Sequence, residues 1–292
     1  VSVWIRLRLN ESPLFQQMKA EGKGSKAPLT ESFARWDNLK IVLLALFGLT
    51  AGQAVVWYTG QFYALFFLTQ TLKVDAQTAN ILVATSLLIG TPFFLVFGAL
   101  SDKIGRKPII MAGCLLAVLT YFPLFQALTH YANPALESAQ ASSPVTVIAD
   151  PAECSLQFNP VGTSKFTSSC DIVKSALVKA GVPYINQAAP AGSKAEVSVG
   201  ATRIASYDGT AADAATQAPV FAKSLGDALK TAGYPASADT KQINYPMVTL
   251  ILVVLVILVT MVYGPIAAML VEMFPTKIRY TSMSLPYHIG NG

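Results

Sequence analysis

Apolar and polar positions along this chain fall into long blocks rather than into short alternations. Four stretches stay apolar long enough to cross the ~30 Å hydrocarbon layer of a bilayer, which takes about 20 helical residues. They are Leu39 to Leu68, Ala79 to Leu100, Pro108 to Thr129 and Tyr245 to Phe274. The last contains MVTLILVVLVILVTMV, a run without a charge. A surface helix of a soluble fold needs only one apolar face, whereas this run is apolar all round. The pattern therefore predicts a polytopic helical membrane protein. VSVWI at the start reads as the tail of an earlier span and SLPYHIGNG at the end as the first turns of a later one. We expect the chain to be an internal piece of a longer protein.

Between the third and fourth spans the pattern changes to a polar stretch, residues 131–244, rich in Ala, Ser, Thr, Asp and Pro. SPVTVIAD and AEVSVGATRIASY combine β-branched residues with partial alternation and predict two strands. CDIVKSALVKAGVPY and FAKSLGDALKTAGYP predict amphipathic helices, each closed by Gly with Pro just beyond. Both contain A-L-x-x-A-G-x-P, at Ala176 to Pro183 and Ala228 to Pro235. Internal duplication and shared helix-stop chemistry explain that match equally well. The stretch is expected to fold as an inserted α/β domain.

Composition agrees with a membrane protein. Of 292 residues 53% are hydrophobic and 13% charged, about half the charged fraction of a soluble domain, with mean hydropathy +0.48. The net charge of +5 sits in short segments beside the spans. Residues 1–40 hold seven basic and four acidic residues, 101–108 three and one, and 272–280 two and one. The polar stretch carries net −1. This is the distribution of the positive-inside rule, not the aromatic-interleaved basic face of a nucleic-acid binder. Lys103, Arg106 and Lys107 place the loop between spans two and three in the cytoplasm. Span parity puts residues 1–38, Lys277 and Arg279 on the same side, and 69–78 and 131–244 outside. Cys154 and Cys170, both in the outside stretch, would pair in an oxidising compartment, two free thiols being the alternative. Cys114, within the third span, reads as a small packing residue.

Enzymatic constellations are missing from the sequence. His130 and His288 are the two histidines, and no H-E-x-x-H, C-x-x-C, G-x-S-x-G or Walker-type loop occurs. We expect no enzyme, no cofactor and no metal site. Transport powered by this chain alone would be secondary rather than ATP-driven.

The most specific phrase is GALSDKIGRKP, between spans two and three. It resembles the loop signature of the major facilitator superfamily, G-x-x-x-D-x-x-G-R-[RK], at Gly98, Asp102, Gly105, Arg106 and Lys107. Gly105 would permit a tight turn, Asp102 could cap a helix N-terminus, and Arg106 could pair with a carboxylate on a neighbouring helix end. VEMFPTKIRYTSMSLPYHIGNG resembles the segment between the tenth and eleventh helices of the superfamily's metabolite:proton symporters, the proline/betaine, dicarboxylate, 2-oxoglutarate and shikimate carriers. Glu272, Pro275 and Arg279 carry its shared part. RLRLNESPLF resembles the phrase after that group's sixth helix, with Asn10 where Pro is usual. The resemblance covers residues 1–130 and 245–292 and implies a partial C-terminal half of the major facilitator fold.

On that alignment residues 1–38 are a cytoplasmic loop between the halves, 39–130 three transmembrane helices, and 131–244 an extracytoplasmic insert. Residues 245–292 are then a further span, a cytoplasmic loop and the start of the next helix. The implied function is secondary active transport of a small metabolite, an organic acid or a zwitterionic osmolyte, by alternating access with proton symport in a bacterial inner membrane. The resemblance further implies a cytoplasmic charge cluster of Asp102, Arg106, Glu272 and Arg279 that gates the pathway. Apart from Glu272 at the end of the fourth span, no acidic residue lies inside a span to couple protons. In the first span Gln53, Trp57 and Gln61 fall at i, i+4 and i+8, with Tyr58 alongside and Gly48, Gly52 and Gly60 interspersed. This face would contact substrate, its glycines permitting a break in the helix, or would serve tight interhelical packing. Gly90-Thr91-Pro92 and Tyr263-Gly264-Pro265 are expected kinks. A membrane-anchored receptor with a ligand-binding insert is the alternative function, although an anchor has no need of GALSDKIGRKP.

Overall fold

A computed structural model of the chain describes residues 12–157 and 165–292. The opening VSVWI and most of RLRLNESPLF lie outside the described residues. The predicted spans correspond to four helices long and apolar enough to cross a membrane, α3 (Trp36–Thr71), α4 (Ala76–Ile104), α5 (Arg106–Ala132) and α9 (Tyr245–Met273). Two short helices precede them, α1 (Pro13–Ala20) and α2 (Pro28–Phe33). The chain divides into two units. One gathers the residues up to Phe62, Leu87–Tyr121 and Val253–Gly292; the other holds Tyr63–Ser86 and Phe122–Leu252.

In the first unit, α9 is the helix that the others press against. A Cβ built on Gly60 of α3 would stand 2.7 Å from Val259 Cγ2, and one on Gly90 of α4 2.3 Å from Val256 Cγ1. On Gly113 of α5 it would lie 2.6 Å from Val262 Cγ2. Lipid tails are as apolar as leucine, so helices in a bilayer associate by close packing, and a missing side chain lets two backbones approach. Val256, Val259 and Val262 are correspondingly buried. Near the basic ends of the spans Val42, Ala45, Ile266, Leu270 and Phe274 form a buried cluster. Met283 and Tyr287 of α10 (Arg279–Asn291) pack against it. Ser282 at the start of α10 donates to Ser32 of α2 at 2.8 Å, both hydroxyls fully buried.

The glycines of α3 permit a break that the helix does not take. The helix runs on through three π-helical turns, Leu44–Thr50, Thr59–Tyr63 and Phe67–Thr71. Gly48 and Gly60 lie in the first two, where wider i→i+5 turns absorb the local mismatch. A turn at Thr91 does interrupt α4, separating Ala76–Gly90 from Pro92–Ile104, whereas α9 stays helical through Pro265.

The second unit contains a mixed four-stranded sheet ordered β2-β1-β3-β4. Its strands are β1 (Val145–Ala149), β2 (Ile185–Ala188), β3 (Glu196–Val199) and β4 (Thr202–Ala205). β2 runs parallel to β1, and the other two pairings are antiparallel. Buried Val145, Val147 and Ala149 alternate along β1, and Val197 and Val199 continue that face on β3. Helix α7 (Ser169–Ala180) buries Cys170, Val173 and Leu177; α8 (Ala214–Thr231) buries Phe221, Leu225 and Leu229. Helix α6 (Pro134–Ser142) precedes the sheet, with Asn133 as its cap.

Two strands were expected here and four are present among the described residues. AEVSVGATRIASY folds back at Gly200, φ +55°, into the β3–β4 hairpin instead of forming one strand. β2 sits at the sheet edge with all four residues exposed, so burial left no alternation in INQA to read. Helix α8 begins at Ala214, well before the predicted Phe221. Gly181 (φ +65°) ends α7, and Gly233 (φ +83°) follows α8, as helix-stop chemistry requires.

Candidate functional site

Residues at the basic ends of α4, α5 and α9 form an ion cluster. Asp102 lies in the last turn of α4 and Glu272 in the last turn of α9. The negative end of a helix dipole disfavours a carboxylate in either place. Arg106 answers both: Nη2 lies 3.1 Å from Asp102 Oδ1 and 3.0 Å from Glu272 Oε1. Its side chain is 21% exposed while the carboxylates are 68% and 58% exposed, so the shared cation is the shielded member. Gly105, at φ +95° and ψ +154°, makes the turn from α4 into α5 in a region closed to residues with a Cβ. That turn places Arg106 one helical turn beyond Asp102.

Asp102 does not cap a helix N-terminus; it is one turn too early and pairs with the guanidinium instead. Arg279 also stands apart from the predicted cluster. Its Nε donates to the carbonyl of Phe274 at 3.2 Å, satisfying a free acceptor at the end of α9. Gly98 sits where α4 passes α9: a Cβ on Gly264 would lie 3.9 Å from its nitrogen. Lys107 is exposed.

The α3 candidates diverge in environment. Gln53 is 1% exposed, and neither amide atom has a hydrogen-bond partner among the described residues. A buried unpaired amide is costly, which marks the position as one that needs a partner. Trp57 is half-buried and stacks on Tyr263 of α9 at 5.9 Å with a 25° interplanar angle. Tyr58 and Phe62 meet the Trp57 ring edge-on, at 5.0 and 5.4 Å. Tyr58 is itself 44% exposed. Gln61 is half-buried and lies within the Thr59–Tyr63 π turn, so a strict i+4 spacing from Trp57 does not hold. Sequence reasoning read Tyr263 only as part of a kink and missed Tyr287, whose hydroxyl lies 3.3 Å from that of Tyr263, and Phe94, which meets Tyr263 edge-on. The aromatic residue beside Gly264-Pro265 was the available signal for Tyr263.

Cys154 and Cys170 are joined, with an S–S distance of 1.95 Å and Cα atoms 5.2 Å apart. Cys114 is free. Among the described residues no group of three or more His, Cys, Asp or Glu is placed to hold a metal ion.

Four helices long and apolar enough to cross a membrane define a multi-pass membrane protein. Residues 11–146 match the Major Facilitator Superfamily, which bears out the resemblance carried by GALSDKIGRKP. The chain is 28% identical over 134 residues to an alpha-ketoglutarate permease of Escherichia coli (strain K12), covering 46% of this chain and 29% of the permease. It is 28% identical over 116 residues to a proline/betaine transporter of Staphylococcus aureus (strain MSSA476), covering 38% and 23%. A proline/betaine transporter of Staphylococcus haemolyticus (strain JCSC1435) is 25% identical over 114 residues. The chain thus spans less than a third of the length of these curated relatives, which are transporters, not enzymes. No solved structure matches the chain.

Proposed function

We propose that the chain is part of a secondary active transporter that moves a small metabolite, an organic acid or a zwitterionic osmolyte, by alternating access with proton symport. The observation that carries this is Arg106 bridging Asp102 and Glu272. Three charges shared across the ends of three spans form a latch that can open and re-form without chemical change. Exposed ion pairs contribute about 0–1 kcal/mol, weak enough to be reversible and strong enough to bias two states. A membrane-anchored receptor has no use for such a latch, and the transporter relatives do not favour that alternative.

In this proposal the basic ends of the spans face the cytoplasm of a bacterial cell, with residues 131–244 as an extracytoplasmic inserted α/β domain. The Cys154–Cys170 bridge suits an oxidising exterior. Residues 1–38 are the loop between the two halves of the transporter, and 245–292 hold the span, loop and helix that follow the insert. Gln53, Trp57, Tyr58 and Gln61 supply the substrate-contacting face. The unpaired amide of Gln53 supports it, because a polar substrate group would satisfy both amide atoms. The ring of Trp57 would favour a zwitterion's cationic end by about 0.5–2 kcal/mol.

Uptake of labelled proline, betaine and 2-oxoglutarate into proteoliposomes by the full-length protein, with and without a pH gradient, is the test. We expect uptake of at least one of them to be driven by an inward proton gradient. Gln53→Leu should raise its KM while leaving membrane insertion intact. The absence of uptake for all three would oppose the substrate assignment, and gradient-independent uptake would oppose proton symport.

A further inference from the structure

Phe15, Met18, Lys19, Ser25, Lys26 and Lys277 line an open surface hollow of about 450 Å³ in the first unit. Three of these side chains are cationic. Lys277 is answered by Glu31 at 3.1 Å. Lys19 and Lys26 have no carboxylate partner among the described residues, in contrast to Lys23, which pairs with Glu21 at 2.8 Å outside the lining. The loop that positions them is wound tightly. Lys23 N donates to Met18 O at 3.1 Å, Gly22 takes φ +68°, and Ser25 Oγ accepts from Ala27 N at 3.2 Å. Phe15 and Met18 are the large apolar members of the lining.

The same segment exposes large apolar side chains. Leu14 is 54%, Leu29 66% and Trp36 67% exposed, and Trp36 opens α3, the first span. Tryptophan at a span's end sits at headgroup depth. Uncompensated lysines beside apolar side chains, on a segment that presents leucine and tryptophan next to a span, have the chemistry to hold a phosphate at a membrane surface.

We propose that this hollow binds the phosphate of an anionic phospholipid, with Lys19, Lys26 and Lys277 around the headgroup and Phe15 and Met18 against the start of its acyl chains. The proposal needs α3 to be a membrane span but does not need the transport assignment. Failure of one is therefore separable from failure of the other.

The test is native mass spectrometry of the full-length protein in neutral detergent, offered equal amounts of phosphatidylglycerol and phosphatidylcholine. Wild type should retain phosphatidylglycerol preferentially. Lys19→Gln and Lys26→Gln should each weaken that preference about fivefold, the factor for one basic residue at an anionic surface. Lys23→Gln, whose lysine is already paired, should leave it in place. An undiminished preference in the Lys19→Gln/Lys26→Gln double variant would overturn the site. Equal losses in Lys23→Gln would overturn it too, since any surface charge would then serve. Displacement of the lipid by millimolar inorganic phosphate would reassign the hollow to free phosphate and defeat the lipid proposal.

Discussion

The two units hold themselves together by different means. In the first, α9 is packed by absence: Gly60, Gly90 and Gly113 remove the side chains that would separate the helices, and valines fill the space. In the second, the sheet and its helices are built on conventional burial, with Val145, Val147 and Ala149 facing a common core and Leu177 and Phe221 among the buried helical residues. The contrast is between apolar spans that meet at α9 and the polar stretch that builds the sheet. A lipid-facing helix gains nothing from hiding leucine, so contact distance decides its partners. A polar chain in water gains about 25 cal/mol per Å² of apolar surface hidden, so alternation decides its partners.

Substitutions that add a side chain or remove a staple sharpen this contrast. The largest effect is expected at Gly181. A Cβ there would lie 2.2 Å from the carbonyl of Gln70, and φ +65° strains any other residue. Gly181→Ala should destabilise the second unit by roughly 3–4 kcal/mol, combining left-handed strain with overpacking. A thermal scan of the full-length protein in detergent reads the shift, and a melting point within error of wild type would refute the close approach. Next is the disulfide. Cys154→Ser should cost about 3 kcal/mol, the value for a loop of this size, and should speed protease cleavage within 145–231 but not within the spans. Equal protection in both forms would show that the sheet does not depend on its staple.

The smallest effect concerns acid. Lys277 donates to Glu31 and holds its carboxyl below the ordinary 4.5. Stabilisation from a depressed carboxyl is present above the ordinary value and is lost as pH falls through the lowered one. Lys277→Gln should therefore lower the melting point slightly at neutral pH and not at all once pH drops well below 4.5. A deficit that persists undiminished in acid would assign the loss to packing instead.

What could be read from sequence alone tracks this same division. The four spans were legible because length and hydropathy suffice, and Gly105 and Arg106 because a fixed phrase carries them. The partners of those residues were less accessible. Glu272 emerged through resemblance, but Arg279 turned to the Phe274 carbonyl because the end of α9 leaves that acceptor open. The π turns of α3 were hidden, since no residue pattern distinguishes i→i+5 from i→i+4 bonding, and they displaced Gln61 from its expected spacing. In the polar stretch β2 escaped notice because an exposed edge strand has no apolar face to alternate.

The claim on which the functional account rests is that the charges joined by Arg106 form a moving latch rather than a fixed strut. The direct measurement compares wild type with Asp102→Asn in the full-length protein, following substrate uptake into proteoliposomes and equilibrium binding in parallel. Uptake should slow by about fivefold with the binding constant nearly unchanged, since loss of one ion pair shifts the balance between two states by about 1 kcal/mol without touching the Gln53 face. Uptake at the wild-type rate would contradict it.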